Sequence, residues 1–136
     1  MNFFELSGYS VDSVEPANFT GGVTLVRMTG VCQTPLVNAY RVAFEAGART
    51  AWHTHSGTQL LIVVAGRCRF QKAGEPVREV DAGGIVSVEP GEPHWHGATP
   101  EAPTTHVALN IEASTTWLKK VTEEEYSGSD FFQEDD

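Results

Sequence analysis

The chain has no run of 18 apolar residues, no CxxC pair and no basic stripe, and each absence removes a class of function. Without a long apolar run no helix is expected to cross a bilayer, and membrane is not expected as a partner. Residues 1–16 show no basic stretch followed by an apolar one, so a cytoplasmic location is the expectation. Cys32 and Cys68 lie far apart and outside any ligand spacing, and both are expected to be reduced and buried. Lys and Arg number 9 against 18 Asp and Glu, a formal net charge of −9. Such an acidic surface repels phosphate and argues against nucleic acid as a partner.

Helical spacing is also missing. No segment before Ser114 keeps apolar residues in register over three turns, and no internal repeat is visible. Short apolar or alternating runs occur instead, over Val23 to Met28, Ala39 to Phe44, Leu60 to Ala65, Arg67 to Gln71, Ile85 to Val88 and Thr105 to Ile111. The chain has 13 Gly and 7 Pro, many of them between these runs. Regularly spaced short strands of this kind predict an all-β sandwich or barrel. Trp117 to Val121 reads as a last strand, and Thr122-Glu123-Glu124-Glu125 as a capping box opening a short helical turn. At 136 residues the chain fits one domain, placed at 1–127, with an acidic, frayed tail at 128–136.

All five histidines fall in three places: His53 and His55, His94 and His96, and His106. Residues two apart on a strand share a face, so Trp52-His53-Thr54-His55 aims two imidazoles into one space and turns Trp52 away. Taken alone, such a pair reads first as exposed strand residues, or as one core histidine beside one on a loop; the surrounding motif reverses that reading. Gln59 follows a Ser56-Gly57-Thr58 turn, and a hairpin there would return it beside the pair with an amide oxygen to offer. His94 enters another strand after Glu89-Pro90-Gly91-Glu92-Pro93, and barrel closure would place it opposite. Trp52 and Trp95 take the other parity and are expected in the core or at a subunit interface.

The segment from Gly47 through His53, His55 and Gln59 to Gly66 resembles the first motif of the cupin family, G-x5-H-x-H-x3-E-x6-G, with Gln59 in place of Glu. The segment from Gly83 through Pro90, Gly91 and His94 to Ala98 resembles the second, G-x5-P-x-G-x2-H-x3-N, with Glu89 and Ala98 departing from Pro and Asn. The resemblance implies a single-domain double-stranded β-helix, or jelly-roll, barrel. It extends to the small bacterial cupins that include the manganese-dependent (R)-hydroxynitrile lyases, through Ala48 to His55, Pro90 to Ala98, Thr105-His106 and Val121 to Tyr126. In those lyases the resemblance implies a metal held by three His and one Gln, matched here by His53, His55, His94 and Gln59, with His106 acting near it. Small cupins commonly pair through their sheets, so a homodimer or higher homo-oligomer is the expectation.

Imidazole and amide donors leave a divalent ion its full charge, which favours Lewis-acid work over redox cycling. Such donors suit Mn, Fe, Ni, Co or Zn; manganese is the first choice, from the resemblance. Alternation puts His106, Ala108 and Asn110 on one face and Tyr40, Val42 and Phe44 on another, and both faces are expected to line a pocket for a small-molecule substrate. His106 is the candidate acid or base, with Tyr40 and Asn110 orienting the substrate; a structural role for His106 stays open. His96 shares the parity of His94 and is expected as a partner of the site or at the barrel mouth. The function expected first is a metal-dependent lyase acting on cyanohydrins or hydroxy-carbonyl compounds. A cupin dioxygenase, a sugar isomerase and a non-catalytic small-molecule binder stay open beside it.

Overall fold

The structure, a computed structural model, describes residues 1–129. Its strands are β1 (Val11–Ser13), β2 (Phe19–Thr20), β3 (Val23–Gln33), β4 (Leu36–Phe44), β5 (Arg49–Thr50), β6 (His53–His55), β7 (Thr58–Lys72), β8 (Arg78–Asp81), β9 (Ile85–Val88), β10 (His94–Ala98), β11 (Thr104–Ile111) and β12 (Thr115–Trp117), followed by one helix, α1 (Glu123–Ser127). The sheet runs β1-β3-β4-β11-β7-β10-β5-β2, with β8 and β9 on β7 and β6 between β10 and β12. All the pairings are antiparallel. None of the described helices is long and apolar enough to cross a membrane.

One strand joins the two halves of the curled sheet. The first part of β7 pairs with β9 and β11, and the second, from Arg67, with β8 and β10. The sequence reading divided this stretch at Gly66 into Leu60–Ala65 and Arg67–Gln71, but β7 is continuous. Gly66 takes a φ of +75° inside the strand, and a Cβ there would run into the Pro103 carbonyl. Glycine here bends the strand from one half to the other instead of ending it.

The core fills the space between the halves. One cluster joins Val23, Leu25, Val42, Phe44, Ala48 and Ala98, and a second joins Leu61, Val88 and Ala108. Trp52 and Trp95 are both buried, in a third cluster with Val121 and Tyr126. That cluster is closed by the C-terminal segment. Thr122 caps α1 by accepting from the Glu125 amide at 3.1 Å while the Glu125 carboxylate accepts from the Thr122 amide at 2.9 Å, the capping box that the sequence predicts. Tyr126 then reaches back to donate its hydroxyl proton to the Ala98 carbonyl.

Three expectations are corrected. The last strand is Thr115–Trp117, not Trp117–Val121, because its ladder is fixed by the three residues of β6; beyond it Leu118 bonds Trp52 and the chain turns Val121 into the core. Cys32 is exposed, because its end of the β3–β4 hairpin projects past the core, whose β3 members are Val23 and Leu25; Cys68 is buried, and burial pushes its thiol up to about 12. The β6 strand pairs with β10 and β12 rather than in a hairpin with β7, so Gln59 reaches the histidines from the other half of the sheet. The tail expected from 128 lies outside the described residues from 130 onward.

Candidate metal centre and cavity

Strand register assembles the site. On β6, His53 stands opposite His94 of β10 on one side and Trp117 of β12 on the other, and Thr115 stands opposite His55. On β11, His106 lies opposite Val63 and Val42, and Asn110 opposite Gln59. The imidazole centroid of His53 is 4.2 Å from that of His94, 5.0 Å from that of His55 and 5.2 Å from that of His96, while His106 lies 4.8 Å beyond His96. All five histidines of the chain are therefore gathered into one buried group.

The hydrogen bonds on one side of each ring decide what the other side offers. His53 Nδ1 is 2.9 Å from the Ala51 carbonyl and His94 Nδ1 is 2.8 Å from the Glu92 carbonyl. A carbonyl only accepts, so each Nδ1 carries the proton and each Nε2 presents a lone pair. His55 Nδ1 meets the Thr115 hydroxyl at 2.9 Å, which leaves its Nε2 buried and without a partner. Gln59 donates from Nε2 to Asn110 Oδ1 at 2.8 Å, which turns its amide oxygen to within 3.2 Å of His94 Nε2. Lone pairs on His53, His94 and Gln59, with an orphaned nitrogen on His55, are the donor chemistry that suits a divalent cation.

His53, His94 and His96 present ring nitrogens all within 4.8 Å of one another, a three-histidine cluster that could hold a metal ion. The sequence reading kept His96 outside the ligand set, and its position makes it a competitor for His55. Its Nδ1 is 2.9 Å from His106 Nε2, and both outer nitrogens, His96 Nε2 and His106 Nδ1, are buried without partners. The proton shared between the rings couples their roles. If His106 donates it, His106 Nδ1 is a free base and His96 Nε2 is protonated, so it cannot bind a metal. If His96 donates it, His96 Nε2 becomes a ligand and neutral His106 loses its basic nitrogen.

A cavity of about 270 Å³ opens beside these rings. His53, His55, Gln59, His96 and His106 line it, as do the expected pocket residues Tyr40, Val42, Phe44, Ala108 and Asn110. Burial pulls every one of the five imidazoles below its ordinary value of 6.5, to about 4 for His55 and His106. At neutral pH all are uncharged, the state in which an imidazole binds a metal or takes a proton. Asn110, expected to orient substrate, bonds Gln59. Thr115 behind His55, and Phe19 and Trp117 on the cavity wall, are absent from the sequence-based site; alternation about Thr116 puts Thr115 and Trp117 on one face without naming their partners, and nothing in the sequence marks Phe19.

Comparison with known proteins places this arrangement. The family described as Cupin domain matches residues 40–110. An (R)-mandelonitrile lyase of Granulicella tundricola is 42% identical over 111 residues, spanning 79% of this chain and 85% of the relative. The crystal structure of a cupin-like protein from Thermotoga maritima superposes with a TM-score of 0.82 at 34% identity, over 91% of this chain and 98% of that one. A polyketide cyclase of Streptomyces resistomycificus shares the fold, with a TM-score of 0.69 at 16% identity over 93% of this chain and 91% of that one. The matched family segment runs from Tyr40 on one cavity wall to Asn110 on another and takes in all five histidines; the chain belongs to the cupin family.

Proposed function

We propose that the protein is a metal-dependent lyase that cleaves small cyanohydrins, with His53, His55, His94 and Gln59 holding one divalent ion and His106 moving the proton. The observation that carries the reading is that His53, His55 and Gln59 of the neutral donor set line one cavity with His106, which burial keeps uncharged, while His94 stands against His53 and Gln59. The relatedness to an (R)-mandelonitrile lyase supports it. The ion, manganese in this reading, supplies Lewis acidity to a substrate oxygen or departing anion.

The chain's own part is binding, orientation and proton transfer. With His106 Nε2 engaged by His96, Nδ1 is the nitrogen left to accept the substrate hydroxyl proton. As that proton leaves, the oxygen pair forms the carbonyl bond, the carbon–carbon bond to the nitrile breaks, and its electron pair departs with cyanide. Protonated His106 then returns the proton to cyanide, so an aldehyde or ketone and hydrogen cyanide account for every atom of the substrate. Tyr40 and the free amide nitrogen of Asn110 orient the hydroxyl, and apolar Val42 and Ala108 limit water.

The test is incubation of manganese-loaded protein with mandelonitrile, following benzaldehyde and cyanide release. The expected result is metal-dependent cleavage that His106→Ala reduces by two orders of magnitude or more, on the scale of general acid–base catalysis. Absence of cleavage of every cyanohydrin tried by metal-loaded protein overturns the reading.

A further inference from the structure

The groups around the five histidines carry no charge that would balance a divalent ion. Imidazoles bind a metal in their neutral form and an amide has no charge to give, so His53, His94 and Gln59, with either His55 or His96, leave the ion its whole double charge. Among the described residues that line the cavity, Glu15 is the one carboxylate and Arg27 the one cation. Both are exposed and engaged elsewhere, Glu15 with the Ala17 amide at 3.4 Å and Arg27 with Asp12 at 3.5 Å. Glu92, whose carbonyl holds His94 Nδ1, has its carboxylate paired with Lys72 at 3.2 Å and with the Glu89 amide at 2.7 Å. A buried ion without a counter-charge is costly, and an anion that enters with it removes much of that cost. The cavity of about 270 Å³ beside the rings gives such an anion space. Asn110, buried on its wall with its oxygen taken by Gln59, has amide hydrogens left to meet it.

We infer that the metal ion is held together with a small monovalent anion taken from solution and seated in this cavity, so that ion and anion each tighten the binding of the other. The chemical class is a compact anion with a nitrogen or oxygen donor, of the size of azide or formate. The inference goes beyond the lyase reading and rests only on the neutral metal centre; it holds for either ligand set, because His55 and His96 are both neutral ligands. Linkage makes the effect reciprocal: the factor by which the anion tightens the ion is the factor by which the ion tightens the anion. Couplings of this kind commonly amount to about 5- to 150-fold.

The experiment titrates metal-free protein with manganese against a fluorescent chelator at pH 7 and constant ionic strength, in sodium perchlorate and in sodium azide. Manganese is expected to bind about tenfold more tightly in azide. Gln59→Glu puts the missing negative charge into the donor set, so it is expected to bind manganese tightly in perchlorate and to gain little from azide. If that variant does not fold, the reciprocal titration of wild type decides: azide is expected to bind manganese-loaded protein about tenfold more tightly than metal-free protein. Equal manganese affinity in the two salts overturns the inference, because hydroxide or the protein then balances the charge. A Gln59→Glu protein that gains from azide as much as wild type also overturns it, because the missing charge is then not the cause. These readouts are metal and anion binding, so they stand whether or not any cyanohydrin is cleaved. No manganese binding in either salt overturns the inference together with the metal centre.

Discussion

His94 Nε2 and Gln59 Oε1 stand 3.2 Å apart, and neither has a proton for the other. The His94 proton is on Nδ1, committed to the Glu92 carbonyl, and the Gln59 amide hydrogens face Asn110. Burial keeps His94 from taking a second proton. Two opposed lone pairs repel, and a cation between them turns that repulsion into two bonds.

Metal binding is therefore expected to stabilise the fold. An ion at a hundred times its dissociation constant contributes about 3 kcal/mol, on the order of 10 °C in Tm for a domain of this size. Calorimetry with added manganese and with chelator measures it; an unchanged Tm would count against the site. Gln59→Glu adds a charge to the donor set, so it should bind the ion more tightly and turn over more slowly. A competing chelator and the cyanide-release assay read the two effects separately.

The metal-free protein is expected to lose stability in acid. His106 is fully buried and burial pushes it down to about 4, against 6.5 when unfolded. A depressed value means that the unfolded chain takes up the proton first. The stabilisation is complete above pH 6.5 and is lost as the pH falls toward 4, by about 3 kcal/mol for this imidazole. Urea unfolding of chelated protein at pH 7, 6, 5 and 4 should show the slope, and His106→Gln, which has no proton to take up there, should reduce it by the share of this one imidazole, the other four buried histidines keeping theirs.

Tyr126 offers a test of how the C-terminal segment is held. Its ring lies under the Arg49 guanidinium, 4.3 Å from the carbon at its centre, and Arg49 in turn bonds the Val121 carbonyl at 3.0 Å and Glu123 at 2.8 Å. Tyr126→Phe keeps the stack and removes only the bond to Ala98, so it should cost about 1 kcal/mol. Tyr126→Ala removes the aromatic core as well and should cost about 3–5 kcal/mol. Equal losses in the two variants, measured by denaturant unfolding, would show that the hydroxyl alone holds the segment.

How much of this was legible in the sequence follows from how far apart the partners lie. His53 and His55 share a face by strand parity, Gln59 and His94 stand at motif spacing, and the Tyr40 and Asn110 faces follow from alternation. Those are local patterns. The bond from His55 to Thr115 joins residues 60 apart through the β6–β12 ladder, and no alternation within either strand announces it. The same ladder brings Trp117 against His53, which is why the last strand was placed two residues late and its aromatic wall was missed. Gly66 was read as a strand end because glycine punctuates turns; that a bent strand can pass through it depends on Pro103, a contact from another part of the sheet.

The shared proton between His96 and His106 allows the two possible ligand sets to be told apart. In the proposed mechanism His106 Nε2 donates to His96 Nδ1, so His96 acts as an acceptor that holds His106 in its basic tautomer, and His55 completes the metal site. An asparagine side-chain oxygen sits where imidazole Nδ1 sits, so His96→Asn preserves the acceptor while deleting Nε2. This variant should keep its metal and most of its activity, while His96→Leu should keep its metal and lose activity through a displaced pH profile. If His96 is a ligand instead, both variants shed metal to the same extent and His55→Ala does not. Metal analysis of the three proteins, beside the pH dependence of kcat, separates these outcomes, because a tautomer-holding residue moves the profile and a ligand moves the metal content.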